Sequence, residues 1–221
     1  SSLYEAHSQG LVHRDIKPAN IMLNRRGGEP DMVKVLDFGL VKALDDGKQS
    51  RSTGGLAGTP LYMSPESIQT PELVDARSDL YAVGAVGYYL LTGQAVFNAT
   101  SLVELCQMHV TSMPEPPSHR LGKPVSEALE SALLACLDKN RAKRPQTARD
   151  LSQLLDRVPT ARAWTVDDAE GWWGRHERGQ EATVATAVTQ TTPGAAASPG
   201  TVSGAASGTV ASSGFDRTID H

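Results

Sequence analysis

The alternation of apolar and polar positions predicts one small β hairpin near the start of the chain. Two short apolar runs, Ile21–Leu23 and Val33–Leu36, have the composition of strands. The segment between them, Asn24–Asp31, contains the Gly and Pro that are typical of a turn. We find no other strand-rich run and no internal repeat, so the rest of the folded part is predicted to be helical.

The clearest helical pattern lies close to residue 150. Apolar residues recur there at the spacing of one helix face, at Leu151, Leu154, Leu155 and Val158. Thr147 and Asp150 have the spacing of a capping box at the start of this helix. Further helices are predicted for Asp79–Leu91, Ser101–His109 and Ser126–Leu137.

The helix predicted at Asp79–Leu91 contains Gly84 and Gly87. Each glycine costs a helix interior about 1 kcal/mol relative to alanine, so we predict that another element packs closely against this helix. The nearly apolar run Leu80–Leu91 has 12 residues, whereas a membrane span needs about 20. No membrane span is therefore predicted in this chain.

Composition changes sharply after residue 179. Of the 35 residues in 180–214, 26 are Ala, Thr, Gly or Ser, and none is Leu, Ile or aromatic. Such a segment cannot bury enough apolar surface to offset the entropy of ordering its backbone. We therefore predict a disordered linker or tail over residues 179–221.

A short helical extension is predicted between the main folded part and this tail, over residues 159–178. Thr165 can cap a helix there, and Asp168 has the spacing of a capping box. Val166, Ala169, Trp172 and Trp173 fall on one side of this helix. That face needs a partner, and we predict that it docks beside residues 151–158. The alternative is a short disordered aromatic motif that binds another protein.

Charge and cysteine content exclude several function classes. The net charge is −4, which provides no basic surface for nucleic acid. The two cysteines, Cys106 and Cys136, are too few for a disulfide framework or a four-ligand zinc site. These features predict a reduced, cytoplasmic protein that does not bind nucleic acid.

Three motifs before residue 67 carry the candidate chemistry. They are His13-Arg14-Asp15-Ile16-Lys17-Pro18-Ala19-Asn20, then Asp37-Phe38-Gly39, then Gly58-Thr59-Pro60-Leu61-Tyr62-Met63-Ser64-Pro65-Glu66. In this order they resemble the signatures of a eukaryotic-type serine/threonine protein kinase of the bacterial kind. Ile16 stands where the family usually has Leu, and Ser64 where it has Ala. The resemblance covers the large C-terminal lobe and implies an α+β, predominantly helical domain over residues 1–158.

The residue types suit phosphoryl transfer from ATP. A carboxylate at Asp15 can accept the proton of a substrate hydroxyl, and this hydroxyl must be aimed in line with the transferred group. Asn20 and Asp37 offer hard oxygen ligands of the kind that Mg²⁺ prefers. By resemblance, these two residues hold the metal bound to the ATP phosphates.

The resemblance implies further roles around the same reaction. Lys17 would direct its ammonium group toward the transferred phosphate, and Thr59 would contact Asp15 and Lys17. This pair is typical of kinases that phosphorylate Ser or Thr on protein substrates. Met22, in the first predicted strand, would form the floor beneath the adenine of ATP.

Other motif residues are predicted to serve the framework rather than the chemistry. Asp79 would tie its helix to the backbone of the catalytic loop, and Arg144 would pair with Glu66. Framework roles are also implied by resemblance for His13, Phe38 and Gly39. Arg14 would bind a phosphate on the loop between Asp37 and Glu66, since a phosphorylated hydroxyl accepts charge-assisted hydrogen bonds from arginine. The candidate phosphorylation sites in that loop are Thr53, Ser50 and Ser52.

A kinase of this family also has a small lobe with a Gly-rich loop and a strand lysine. None of these parts precedes His13 in this sequence. We therefore expect a kinase fragment whose 221 residues alone do not transfer phosphate. The alternative is a binding module that keeps a kinase-like large lobe without catalysis. Bacterial kinases of this type often continue into a linker and a membrane span, so a membrane tether in a longer parent protein is the alternative to a free cytoplasmic location.

Overall fold

The computed structural model describes residues 2–26, 29–37, 60–160 and 162–176. The chain divides into two units, Ser1–Trp172 and Trp173–His221, and of the second only the helical residues 173–176 are described. The elements are α1 (Ser2–Ser8), β1 (Ile21–Arg26), β2 (Glu29–Val35), α2 (Pro65–Gln69), α3 (Ala76–Thr92), α4 (Leu102–Thr111), α5 (Pro117–Leu121), α6 (Glu127–Cys136), α7 (Ala148–Asp156) and α8 (166–176), with short 3-10 turns at Pro18–Asn20, Pro60–Tyr62, Pro71–Leu73 and Arg141–Lys143. The predicted fold class, mainly helical with one small hairpin, is confirmed.

The hairpin is a two-stranded antiparallel sheet in which Ile21 pairs with Val35 and Leu23 with Val33. Both strands are longer than predicted, because the sheet continues through polar residues whose own pattern does not indicate a strand. The register is irregular between Asn24 and Arg26. The pairing is therefore regular at the base of the hairpin and irregular toward its other end.

Helix α3 forms the centre of the fold. It begins at Ala76, three residues before the predicted start, because the Asp75 side chain accepts a hydrogen bond from the Arg77 backbone and so caps it. It ends at Thr92, and the capping residue Gly93 has a φ of 72°, the left-handed conformation that glycine adopts without strain. This geometry explains why the helix stops at that position.

Two apolar clusters meet at α3. One cluster joins Leu80 and Val86 of this helix to Leu3 of α1, Ile16 of the loop between α1 and β1, and Leu151 of α7. The other contains Tyr81 and Tyr88, both fully buried. The helix therefore contacts the core on two sides.

The two glycines of α3 face α6. A Cβ atom placed on Gly84 would lie 2.5 Å from the Cβ of Cys136, and one on Gly87 would lie 2.6 Å from Leu133 Cδ2. The close packing predicted from these glycines is thus present, and α6 is the element that approaches. The obstacles differ, since a Cβ is fixed to the backbone whereas Leu133 Cδ2 is the end of a flexible side chain.

We expect Gly84→Ala to lower the free energy of unfolding by about 1–3 kcal/mol, because the new methyl group has to push α3 and α6 apart. Gly87→Ala is the matched control, and its effect is expected within about 1 kcal/mol, since Leu133 can rotate and alanine improves helix propensity. Urea unfolding of the 221-residue chain measures both. Equal losses for the two variants would contradict the close α3–α6 contact at Gly84.

Helix α7 has the predicted start. The Thr147 side chain accepts from the Asp150 backbone, and the Asp150 carboxylate accepts from the Thr147 backbone, which is a capping box. The same arrangement joins Thr165 and Asp168 before α8.

The docked position predicted for α8 beside residues 151–158 stays a prediction, and the predicted disordered tail lies outside the described residues. Among the described residues, no helix is long and apolar enough to cross a membrane.

Candidate functional site

The predicted catalytic loop, residues 9–20, runs from α1 to β1 and has Asp15 near its centre. Its carboxylate is largely buried, and Lys17 Nζ donates to Asp15 Oδ2 at 2.7 Å. Asn20 Nδ2 donates to the same Oδ2 at 3.1 Å and to the Asp15 carbonyl at 2.8 Å. Three of the predicted site residues are therefore joined in one hydrogen-bonded group.

Asp79 of α3 anchors the loop. Its Oδ2 accepts from the His13 backbone at 2.7 Å and its Oδ1 from the Arg14 backbone at 2.8 Å. Arg14 has a φ of 67°, a strained conformation for a residue with a side chain, and these two bonds hold the backbone there. His7 of α1 also contacts Asp79, with its Nε2 2.8 Å from Oδ2. No local sequence signal marks His7, since its partner lies 72 residues away.

His13 connects the catalytic loop to the hairpin. It is fully buried, and its Nδ1 accepts from the Asp15 backbone at 3.3 Å, so Nε2 carries the hydrogen that it donates to the Leu36 carbonyl at 2.7 Å. The Leu36 backbone in turn donates to the Asn20 carbonyl at 2.8 Å. The His13 side chain and the main chain of Asn20 and Leu36 therefore link the loop to the base of the hairpin.

Asn20 and Asp37 lie at the same end of the hairpin, one directly before β1 and the other two residues after β2. Both hydrogen bonds of the Asn20 side chain use its Nδ2, which leaves Oδ1 available as a ligand. Asp37 is exposed and has a φ of 58°, a backbone conformation that Asp tolerates better than most residues. One amide oxygen and one carboxylate fit Mg²⁺, which is commonly held by few protein ligands together with water and phosphate oxygens. The described residues contain no cluster of three or more His, Cys, Asp or Glu that could hold a metal.

Glu66 of α2 and Arg144 form a buried bidentate pair. Arg144 Nη1 and Nη2 donate to the two Glu66 oxygens at 2.6 and 2.9 Å, and Ser78 Oγ donates to Oε1 at 2.6 Å. Burial alone would raise the pKa of the Glu66 carboxyl, but these hydrogen bonds and the Arg144 charge outweigh burial and hold that pKa below its ordinary value. No local sequence signal marks Ser78, because its partner Glu66 lies 12 residues away in a different helix.

The remaining predicted residues fall into two groups. Met22 lies in β1 with 49% of its surface exposed, and Arg14 lines a pocket with Tyr62 and Ser78. The others lie outside the described residues: Phe38, Gly39, Ser50, Ser52, Thr53 and Thr59.

Comparison with known proteins gives the family. Residues 1–155 match the protein kinase domain. The chain is 45% identical over 166 residues to the serine/threonine-protein kinase pkn3 of Myxococcus xanthus, covering 73% of this chain and 30% of that protein. It is 42% identical over 159 residues to the serine/threonine-protein kinase PknB of Mycolicibacterium smegmatis, covering 72% and 24%. The chain thus spans less than a third of the length of these curated relatives. With the domain match extending over more than half of its residues, this chain belongs to the protein kinase family.

Proposed function

We propose that this chain provides the catalytic large lobe for ATP-dependent phosphorylation of Ser and Thr hydroxyls on protein substrates. The observation that carries the proposal is the group formed by Asp15, Lys17 and Asn20, in which a buried carboxylate lies 2.7 Å from an ammonium group. A purely structural role does not require a buried carboxylate and an ammonium group together beside the base of the hairpin. The matched relatives are named as serine/threonine kinases, which supports the same substrate class.

In the proposed reaction, the substrate hydroxyl oxygen attacks the γ-phosphorus of ATP, and the bond from that phosphorus to the β,γ-bridging oxygen breaks to release ADP. Asp15 orients the hydroxyl and accepts its proton. Lys17, held beside Asp15, places positive charge where the transferred phosphoryl group carries negative charge. The reaction therefore needs these two side chains at the separation that the loop maintains.

Asn20 and Asp37 would hold Mg²⁺ at the end of the hairpin, and the bound metal would neutralise charge on the ATP phosphates. Met22, exposed in β1, would lie beneath the adenine ring. Each of these three residues is at or near the base of one hairpin, so the hairpin sets their relative positions. The role of Thr59 as a contact of Asp15 and Lys17 stays a prediction.

Regulation by phosphate on the loop between Asp37 and Glu66 is also part of the proposal. Arg14 lines a pocket behind the catalytic loop, and its guanidinium could bind a phosphorylated side chain. The proposed acceptors are Thr53 first, then Ser50 and Ser52. A cytoplasmic location, where ATP is present, is proposed with the same function.

The test joins a small lobe from a bacterial serine/threonine kinase ahead of residue 1, because this sequence contains no Gly-rich phosphate loop. We expect the fusion to transfer phosphate from ATP to protein Ser or Thr at roughly 1–100 per second, the range of protein kinases. The 221-residue chain alone is the control and is expected to transfer none. Mass spectrometry of the fusion is expected to find phosphate within residues 40–57.

Three outcomes would contradict parts of this proposal. A folded fusion that binds ATP but transfers no phosphate would favour the alternative, a kinase-like binding module. Phosphate on tyrosine alone would exclude the Ser/Thr class. Phosphate found only outside residues 40–57 would exclude Thr53, Ser50 and Ser52 as the acceptors.

A further inference from the structure

The segment that follows α7 contacts the β hairpin. Trp164 Nε1 donates to Asp31 Oδ2 at 2.8 Å, and Arg25 Nη2 donates to Glu170 Oε1 at 3.0 Å. Ala169, the neighbour of Glu170 in α8, is only 1% exposed. Residues more than 130 positions apart in the chain are therefore brought together outside the catalytic loop.

The two hairpin residues in these contacts lie where the hairpin is irregular. Arg25 falls between Asn24 and Arg26, the position at which the strand register shifts. Asp31, on the other strand, has a φ of 63°, a left-handed conformation that Asp tolerates better than most residues but that interrupts the extended backbone of a strand. A β-bulge turns side chains away from their regular direction, and an uncommon backbone conformation persists where its surroundings hold it. The extension therefore contacts the hairpin at the irregular part of its strand pairing.

The extension has its own fixed geometry at the point of contact. Thr165 and Asp168 form the capping box that begins α8, and Arg162 forms an ion pair with Asp168. Trp164 lies directly before the capping residue, so the cap fixes the backbone that carries the indole. One turn into the helix, Glu170 reaches Arg25. The extension thus offers the Trp164 indole as a hydrogen-bond donor to the Asp31 carboxylate of the hairpin. It also places the Glu170 carboxylate against the Arg25 guanidinium.

The base of the same hairpin carries the candidate metal ligands. Asn20 precedes β1, and its carbonyl accepts from the Leu36 backbone, next to Asp37. A rigid hairpin keeps these residues in place, whereas a hairpin that opens from its irregular end releases them.

We propose that residues 162–172 clamp the β hairpin through Trp164 and Glu170 and thereby hold Asn20 and Asp37 in position. Asn20 and Asp37 matter for catalysis only through the proposed function, on which that part of the inference rests. The clamp itself is a property of the fold. Residues 162–172 accordingly belong to the functional unit, although the family match ends at residue 155.

Hydrogen exchange of the full 221-residue chain tests the clamp. Trp164→Phe removes the indole donor and keeps an aromatic ring, and Glu170→Gln removes the charge that faces Arg25. Because each contact is exposed, we expect amide exchange in β1 and β2 to be about threefold faster in each single variant and about tenfold faster in the double variant. Exchange in α3 is expected to stay unchanged.

Asp167→Asn is the matched control. Asp167 lies in the same helical turn as Asp168, it is exposed, and it makes no hydrogen bond or ion pair among the described residues. If amide exchange in the hairpin is no faster in the double variant than in the Asp167→Asn control, the clamp is overturned. Acceleration of the hairpin and α3 by the same factor would also overturn it, because that pattern indicates a global loss of stability. The measurement uses neither nucleotide nor substrate, so its failure leaves the proposed phosphotransfer standing, and the failure of phosphotransfer leaves the clamp standing.

Discussion

Asp15→Asn is expected to lower kcat of the small-lobe fusion by about 10²–10⁴-fold, the usual contribution of a positioned general base. Asparagine keeps the size of the side chain and one oxygen acceptor, but its amide cannot take the proton of the substrate hydroxyl. It also removes the charge that holds Lys17 Nζ at 2.7 Å. The KM for ATP is expected to change little, since Asp15 is proposed to act on the substrate hydroxyl and not on the nucleotide.

Steady-state phosphotransfer to a protein substrate measures this effect. Asp156→Asn is the matched control, because Asp156 is an exposed carboxylate at the end of α7. The midpoint of thermal unfolding checks that each variant is folded. If Asp15→Asn keeps kcat within about threefold of the parent fusion, Asp15 is not the base.

Arg144→Met is expected to lower the free energy of unfolding by about 3–5 kcal/mol, which is a large share of the total stability of an ordinary domain. The loss follows from leaving the Glu66 carboxylate buried without its cation. Arg144 also donates to the carbonyls of Asp138, Arg77 and Lys139, at 2.7, 3.1 and 3.4 Å. Methionine fills similar volume but satisfies none of these acceptors.

Urea unfolding of the 221-residue chain provides the measurement, and Arg141→Met is the control from the same segment. Arg141 pairs with Asp75 at 3.2 Å, but both side chains are about one third exposed. Exposed pairs contribute about 0–1 kcal/mol, so the control is expected to lose no more than that. Similar losses of unfolding free energy for the two variants would show that burial does not determine how much the Glu66–Arg144 pair contributes to stability.

Local signals in the sequence were sufficient for several elements. The capping box at Thr147 and Asp150 and the turn residues of the hairpin act within a few positions, so they can be recognised without the fold. Gly84 and Gly87 indicated a close contact, since glycine destabilises a helix interior and is expected there where another element packs too closely for a side chain. The identity of the contacting helix, α6, could not be predicted, because helical periodicity does not state which faces meet.

Other features depend on residues that are distant in the chain. His7 contacts Asp79 across 72 positions, and Glu170 contacts Arg25 across 145. The polar ends of the two strands, at Arg26 and Glu29, are held by ladder pairing and not by an apolar pattern. These side chains have no local signature, since their roles come from partners that only folding brings close.

The sequence by itself determined the family, the mainly helical fold class and the identity of Asp15, Asn20 and Asp37 as candidates, because each motif places its residue types within a short stretch of chain. Only the tertiary structure decided how those stretches meet. Asp79 fixes the strained backbone at Arg14, and His13 joins the catalytic loop to the carbonyl of Leu36. The physical reason is that hydrogen bonding and close packing act over a few ångströms, while the positions they join are separated by tens of residues along the chain.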